Sequence, residues 1–260
     1  MLAAAVEADL VGHVSLLYET MGQVHREDGT VLFVSGGHAA HENGVLRATL
    51  PRWRREAAVR RLLEPFRDRR LPMMWWVFEP PATGTSRLGR LLGRHGLSLT
   101  SDLPGMAMDL DAYAAPPIPR ELEVRRVTEA NELAVWARIV GRAFESPGFE
   151  QGLSVWGFAA RGFDDRSPFR HFLCLLDGQW VGAATLSTGA GVAGLSNIAV
   201  VPEVRRRGIG TAVASVALSE AQALGLRTAV LSAEQVGRGL YERLGFREVS
   251  RHRTYVDVPG

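Results

Sequence analysis

From residue 120 onward the spacing of apolar positions changes from segment to segment, and each change marks an element. Residues 122–126 fit a short strand. Thr128 can cap a helix over 129–144, where Leu133, Val135, Trp136, Ile139 and Val140 share one face at helical spacing. A second helix is expected over 149–160, then three strands at 169–176, 179–186 and 192–201. Asp177-Gly178 is the two-residue turn of the first hairpin, and Gly189-Ala190-Gly191 turns the second. After Pro202 a long helix is predicted over 206–224, stopped by Gly225. A strand (227–232), a helix (235–244) and two last strands around 246–249 and 254–258 complete the order β-α-α-β-β-β-α-β-α-β-β. That order predicts an α/β (α+β) mixed sheet with helices on its faces.

The first 115 residues are less regular. Residues 1–18 read as an amphipathic helix carrying Glu7, Asp9 and His13, with no basic leader of the kind a signal peptide has. Strands are expected at 31–34, 45–50, 72–78 and 106–110. An arginine-rich helix over 52–66 and a second one over 86–95, ending at Gly96, lie between them. Three of the four residues 116–119 are proline, which cannot continue a helix or a central strand and stiffens a linker. The expected division is therefore 1–115, a linker at 116–119, and 120–260. One echo joins the halves: Leu91-Leu92-Gly93-Arg94-His95-Gly96-Leu97 parallels Leu240-Tyr241-Glu242-Arg243-Leu244-Gly245-Phe246. Each is a helix end followed by Gly and a strand, so the pair reads either as a weak repeat or as two ordinary helix-Gly-strand junctions.

Composition narrows the chemistry. With 46% apolar and 22% charged residues in 260, the chain can fill a core and is not disordered in bulk. All 30 basic residues are arginine, so no lysine can form a Schiff base or anchor a phosphate. Against 28 acidic residues they leave a formal charge of +2, which argues against a broad nucleic-acid-binding face. Cys174 is the sole cysteine, which excludes an intrachain disulfide framework and a cysteine-based zinc site; a buried thiol is expected. No run of 18 apolar residues occurs, so no membrane span is predicted, and a cytoplasmic location is the default expectation.

The informative stretch is Asn197-Ile198-Ala199-Val200-Val201-Pro202-Glu203-Val204-Arg205-Arg206-Arg207-Gly208-Ile209-Gly210-Thr211-Ala212. A strand ends, a turn follows, and glycines open a helix. The first amides of a helix lack internal partners and lie at the positive end of its dipole, which suits a phosphate or pyrophosphate. Without Cβ atoms, Gly208 and Gly210 let an anion approach the backbone. Arg205, Arg206 and Arg207 oppose the dipole there unless an anion is bound. The competing readings are a solvated arginine face, a nucleic-acid contact, a plain turn and a Rossmann loop. The last is disfavoured, because Val213 stands where its third glycine belongs and Pro202 with five further residues precedes Gly208.

Arg205-x-x-Gly208-x-Gly210, directly after a strand and Pro202, resembles motif A of the GCN5-related N-acetyltransferase (GNAT) superfamily, and Leu240-Tyr241 followed by Gly245-Phe246 resembles its second signature. The resemblance covers roughly residues 120–260 and implies the following. Acetyl-CoA places its pyrophosphate on the amides of Arg205, Arg206, Arg207, Gly208, Ile209, Gly210 and Thr211. Pantetheine lies along Ile198, Ala199 and Val200 where two central strands splay. The thioester points to a cleft beside Tyr241, the general acid to the departing thiolate, and a small-molecule or peptide amine attacks directly. The superfamily often has Asn near the end of the next strand; here Ser232 is the substitute, and Gly237 lets the following helix approach the cofactor. In the first half, His41-Glu42-Asn43-Gly44-Val45, the strand through Trp75-Trp76 and Pro104-Gly105-Met106 resemble the first domain of tandem acetyltransferase-like proteins. That half lacks Arg-x-x-Gly-x-Gly and has Leu92 in place of the phenol, so it is expected to be a degenerate copy that binds no CoA.

No metal is expected: His38, His41 and Glu42 lack the helical spacing of metalloproteases. No Gly-x-Ser-x-Gly elbow supports a hydrolase. For the general base, Glu145, Glu150, Asp164, Asp165, Ser196 and Asn197 all remain open, and Trp156 and Phe158 are either pocket lining or helix core. Two further functional readings stand beside N-acetyl transfer: a CoA- or partner-binding protein without catalysis, and nucleic-acid association through the arginines.

Overall fold

The computed structural model describes residues 2–20, 24–81, 84 and 86–258. The first half contains α1 (Leu2–Glu19), β1 (Val24–Glu27), β2 (Thr30–Val34), β3 (Asn43–Arg47), α2 (Arg55–Arg67), β4 (Met73–Glu79), α3 (Arg87–Arg94) and β5 (Ser98–Asp109). The second contains β6 (Leu122–Arg126), α4 (Ala130–Ala143), α5 (Leu153–Ala160), β7 (Phe169–Leu176), β8 (Gln179–Ser187), β9 (Ala193–Val200), α6 (Ile209–Ala223), β10 (Thr228–Ser232), α7 (Arg238–Leu244) and β11 (Arg247–Asp257).

These strands make one mixed sheet in the order β1-β2-β3-β4-β11-β5-β10-β9-β8-β7-β6. Two strands have changed sides. β11, from the end of the chain, pairs antiparallel with β4, and β5 pairs antiparallel with β10. β5 and β11 pair with each other at the centre. Outward from this seam the pairings repeat: β4 is parallel to β3 and β10 to β9, then β3 is antiparallel to β2 and β9 to β8. The helix-Gly-strand echo in the sequence falls on this pseudo-symmetry, because each copy feeds one exchanged strand. Gly96 (φ +89°) and Gly245 (φ +103°) both make the left-handed turn after their helix.

Helices cover both faces. α1 lies across the seam and touches both halves: Glu7 accepts from Arg47 Nε on β3 at 2.6 Å, and Asp9 accepts from the Ser187 hydroxyl on β8 at 2.7 Å. Tyr18 stacks on Phe33 with ring centroids 4.5 Å apart. In the second half Trp136 of α4 is fully buried and donates its indole N–H to the Ala184 carbonyl at 3.2 Å. Such a fully buried large side chain contributes about 1.5–3 kcal/mol by area. In the first half Val59, Leu63 and Phe66 of α2 pack with Trp75, Val77 and Leu92 in a separate cluster. Cys174 is a buried free thiol, its pKa pushed up to about 11 by burial.

Three expectations are corrected. The two last strands are one continuous strand, β11, with bulges in its pairing to β5. Its middle, Ser250 to Thr254, is polar yet buried except for the half-buried Arg251, so hydrophobicity did not mark it. The strand at 106–110 is the end of the longer β5, whose first residues, Ser98 to Thr100, are exposed and mark no buried face. The long helix starts at Ile209 instead of 206, because Arg206 (φ +68°) and Gly208 (φ +81°) are left-handed. Among the described residues no helix is long and apolar enough to cross a membrane.

Candidate active site

β9 and β10 are paired only at Ala193–Ala229 and Gly194–Val230. Past Gly194, β9 stays paired to β8 alone, through Ser196–Thr185, Ala199–Ala183 and Val200–Gly182. The two central strands therefore part, and the β9 edge along Ile198, Ala199 and Val200 faces the gap with no strand partner on that side. Asn197 adopts φ +52° at a bulge there, a conformation asparagine tolerates better than most residues.

The turn into α6 closes one end of this gap. Pro202 opens a short 3-10 turn through Val204. Arg205 folds back: its Nε donates to the Val200 carbonyl at 3.2 Å and its Nη2 to the Ala143 carbonyl at 2.8 Å. Its guanidinium thus pins the turn to the ends of β9 and α4. Arg206, Arg207 and Gly208 are exposed, and Thr211 is half-buried. Gly208 occupies the N-cap, no side chain caps the helix, and the Ala212 N–H reaches the Gly208 carbonyl at 2.9 Å. The amides of Ile209, Gly210 and Thr211 precede that bond and have no intrahelical acceptor. Ile209 is buried against Gly182, where a Cβ would come within 2.5 Å of its Cγ2. A Cβ on Gly210 would meet Leu240 Cδ1 at 3.1 Å and Val200 Cγ2 at 3.6 Å. Gly210 therefore fits α6 between the end of β9 and α7.

Tyr241, next to Leu240 on α7, is half-buried, and among the described residues no group hydrogen-bonds its hydroxyl. Burial, reinforced by the Glu234 carboxylate, pushes its pKa up to about 12. Gly237 makes room for the tyrosine ring itself: a Cβ there would lie 2.9 Å from Cε2. Ser232 ends β10 with its hydroxyl 2.8 Å from Nδ1 of His252 on β11. Val200, Gly210 and Leu240 thus bring the strand edge and the turn against α7, the helix that carries Tyr241, whereas the Ser232 side chain is turned to a neighbouring strand.

Several groups escaped the sequence reading. Asp9 comes from the other half of the chain and packs on Gly194 at the point where β9 and β10 part. Its burial raises its pKa to about 7, partly offset by the Ser187 hydrogen bond. His13 and His252 are lowered to about 4 and His171 to about 3, all chiefly by burial. Their sequence neighbours gave no sign of this, since the chain elements that bury them are remote. Of the carboxylates considered as bases, Asp165 pairs with Arg126 at 2.6 Å and Asp164 with Arg166 at 2.9 Å. Trp156 is 70% exposed, while Phe158 is buried core. Among the described residues no group of three or more His, Cys, Asp or Glu could hold a metal ion.

The parted strands β9 and β10 and the uncapped, glycine-started helix at their mouth lie within residues 135–246, which match the model of the Acetyltransferase (GNAT) family. Over those residues the chain is similar to GNAT acetyltransferases, a family that uses acetyl-CoA as acyl donor. The chain is 29% identical over 164 residues to a mycothiol acetyltransferase of Streptomyces avermitilis, an alignment covering 58% of this chain and 52% of that protein. It thus spans about half the length of the curated relative it matches. Among solved structures it is similar to a GCN5-related N-acetyltransferase from Kribbella flavida (TM-score 0.74, 17% identity, 100% of this chain and 96% of that one). It is also similar to a tandem GNAT protein from the clavulanic acid biosynthesis pathway (TM-score 0.62, 15% identity, 90% and 81% covered). At these identities the structures show the shared fold.

Proposed function

We propose that the protein is an acetyl-CoA-dependent N-acetyltransferase that acylates a primary amine of a small molecule or peptide by direct attack. The observation that carries this reading is the uncapped start of α6 at Gly208, set where β9 leaves β10. The free amides of residues 209–211 would receive the coenzyme's pyrophosphate. The open edge of β9 at Ile198, Ala199 and Val200 would accept the pantetheine amides in sheet fashion. The amine nitrogen then attacks the thioester carbonyl, the C–S bond breaks, the sulfur leaves with the bonding electrons, and the ammonium proton is lost to solvent or a base. Positioning of this kind can contribute roughly 7–11 kcal/mol to the rate. With its pKa near 12, Tyr241 would act as a protonated hydrogen-bond donor to the thiolate.

We read the first half as a degenerate copy that completes the sheet, a reading supported by the mirrored strand order about β5 and β11. The amine substrate of mycothiol acetyltransferase is the first acceptor to assay. The test is thiol release with acetyl-CoA and a panel of amines, alongside calorimetry. Saturable acetyl-CoA binding lost in Gly208→Asp supports the reading; absence of binding, or binding indifferent to that change, rejects it.

A further inference from the structure

The pseudo-symmetry that relates the halves carries the α6 turn onto the β3–α2 turn, and a different chemistry stands there. Arg54 occupies the N-cap of α2, where Gly208 occupies that of α6, and the Ala58 N–H bonds to its carbonyl at 2.9 Å. No side chain caps this helix. Beside it opens a cleft of about 530 Å³ walled by the start of α2 and one face of α3. Arg52, Arg54, Arg55, Arg87, Arg90 and Arg94 line it, and Glu56 is the one carboxylate among the described lining residues. Glu56 is already shared by Arg94 at 3.2 Å and His95 at 3.0 Å.

The lining thus carries six positive charges against one negative, on a chain whose formal charge is only +2. The rest of the molecule is net negative, and the arginine excess is gathered at this place. Arg52, Arg54 and Arg55 stand at the N-terminus of α2, where they oppose its dipole, and an anion bound among them would offset that. Guanidinium groups match phosphate oxygens in bidentate geometry. At the rim Trp53 is 75% exposed, with the Arg54 guanidinium 4.1 Å from its ring centre. This is a platform for a planar base.

We propose that this cleft binds a nucleoside di- or triphosphate, its phosphates among the arginines and its base on Trp53. The ligand is not a second coenzyme A. Where β3 and β4 part, after Val45–Trp75, the Trp76 ring lies over Gly44, 2.6 Å from where a Cβ would be. Phe33 and Tyr18 stack behind it. The aromatic rings fill the face of β3 at Gly44, and no glycine-started helix of the α6 kind follows β3, since Arg54 holds the N-cap of α2. The concave shape between two helices suits a compact ligand better than an extended strand of RNA.

The test is calorimetry on the full chain at near-physiological salt, with ATP and sodium tripolyphosphate as probes. One saturable site for each is expected, weakened about tenfold or more by Arg87→Glu with Arg90→Glu, and separately by Arg52→Glu on the exposed turn. Trp53→Ala should weaken ATP and leave tripolyphosphate unchanged. Gly208→Asp should leave ATP binding intact, which separates this cleft from the acetyl-CoA site. The proposal is overturned by absent binding, by binding indifferent to both charge reversals in variants with native melting curves, by coenzyme A displacing ATP in the Gly208→Asp protein, or by a single-stranded RNA oligomer that competes more tightly than ATP.

Discussion

Ser232 and His252 face each other across β5, hydroxyl to Nδ1 at 2.8 Å, although they come from different strands, β10 and β11. His252 in turn stacks on Phe78 of β4, ring centroids 4.7 Å apart. The pair ties the sheet of one half to the sheet of the other. Ser232→Ala should therefore lower stability by about 1 kcal/mol, the usual net worth of such a bond, and leave the KM for acetyl-CoA within about twofold. Denaturant titration and steady-state kinetics on the same preparation check both numbers. A large rise in KM would instead give Ser232 a direct part in holding the coenzyme.

Tyr241→Phe keeps the ring that packs on Gly237 and Phe246 and removes only the hydroxyl. The expected result is an unchanged melting temperature, unchanged acetyl-CoA affinity and a kcat lower by about 100-fold. Since the phenol titrates near 12, the wild-type kcat should show no alkaline fall from this group below pH 10. A fall centred near 8 that disappears in the phenylalanine variant would contradict the assignment.

Gly237→Ala places a methyl against the tyrosine ring, at a position whose φ of −90° alanine accepts. The variant should fold normally and still lose much of kcat, because the ring must move. Gly208→Ala tests the other end of the site: alanine at φ +81° costs about 1–2 kcal/mol and should raise the KM for acetyl-CoA.

The buried histidines and Asp9 pull the pH dependence of stability in opposite directions. His13, His171 and His252 have folded pKa values below their ordinary 6.5, so the stability they contribute is present above 6.5 and lost as pH falls toward 4 and 3. Asp9 is raised from 3.8 to about 7, so its contribution is full below 4 and is lost as pH rises through 7. Three groups outweigh one, and chemical denaturation should show stability falling on acidification from 6.5. Asp9→Asn should raise stability at pH 8 relative to wild type by up to roughly 4 kcal/mol, the gain vanishing near pH 4.

Much of the second half was legible because its signals are local. Gly225, Asp177-Gly178 and the spacing of Leu133, Trp136 and Val140 each depend on a few neighbours in sequence, and the elements they predict are observed. Gly208 and Gly210 likewise lie where the sequence places them, at the start of one helix. What stayed hidden depends on distant chain. The burial of Arg253 on β11 requires Glu79 from β4, at 2.5 Å, and Asp102 from β5, at 3.1 Å, so its segment looked like a break between two strands. Asp9 reads as the polar side of an amphipathic helix until α1 is laid over Gly194. The cleft at Arg87, Arg90 and Arg94 was present in sequence as a helical stripe, but only its meeting with α2 makes it concave.

The crossing of β5 and β11 constrains more than geometry. Cutting the chain at its prolines would strip each fragment of the strand beside β4 or β10, baring hydrogen-bonding edges on both. A lone C-terminal fragment, even with every motif residue present, should precipitate or refold with a borrowed partner, and mixing the two pieces should restore solubility. The half that carries no acetyltransferase motif thus supplies the strands that cover the edges of its neighbour.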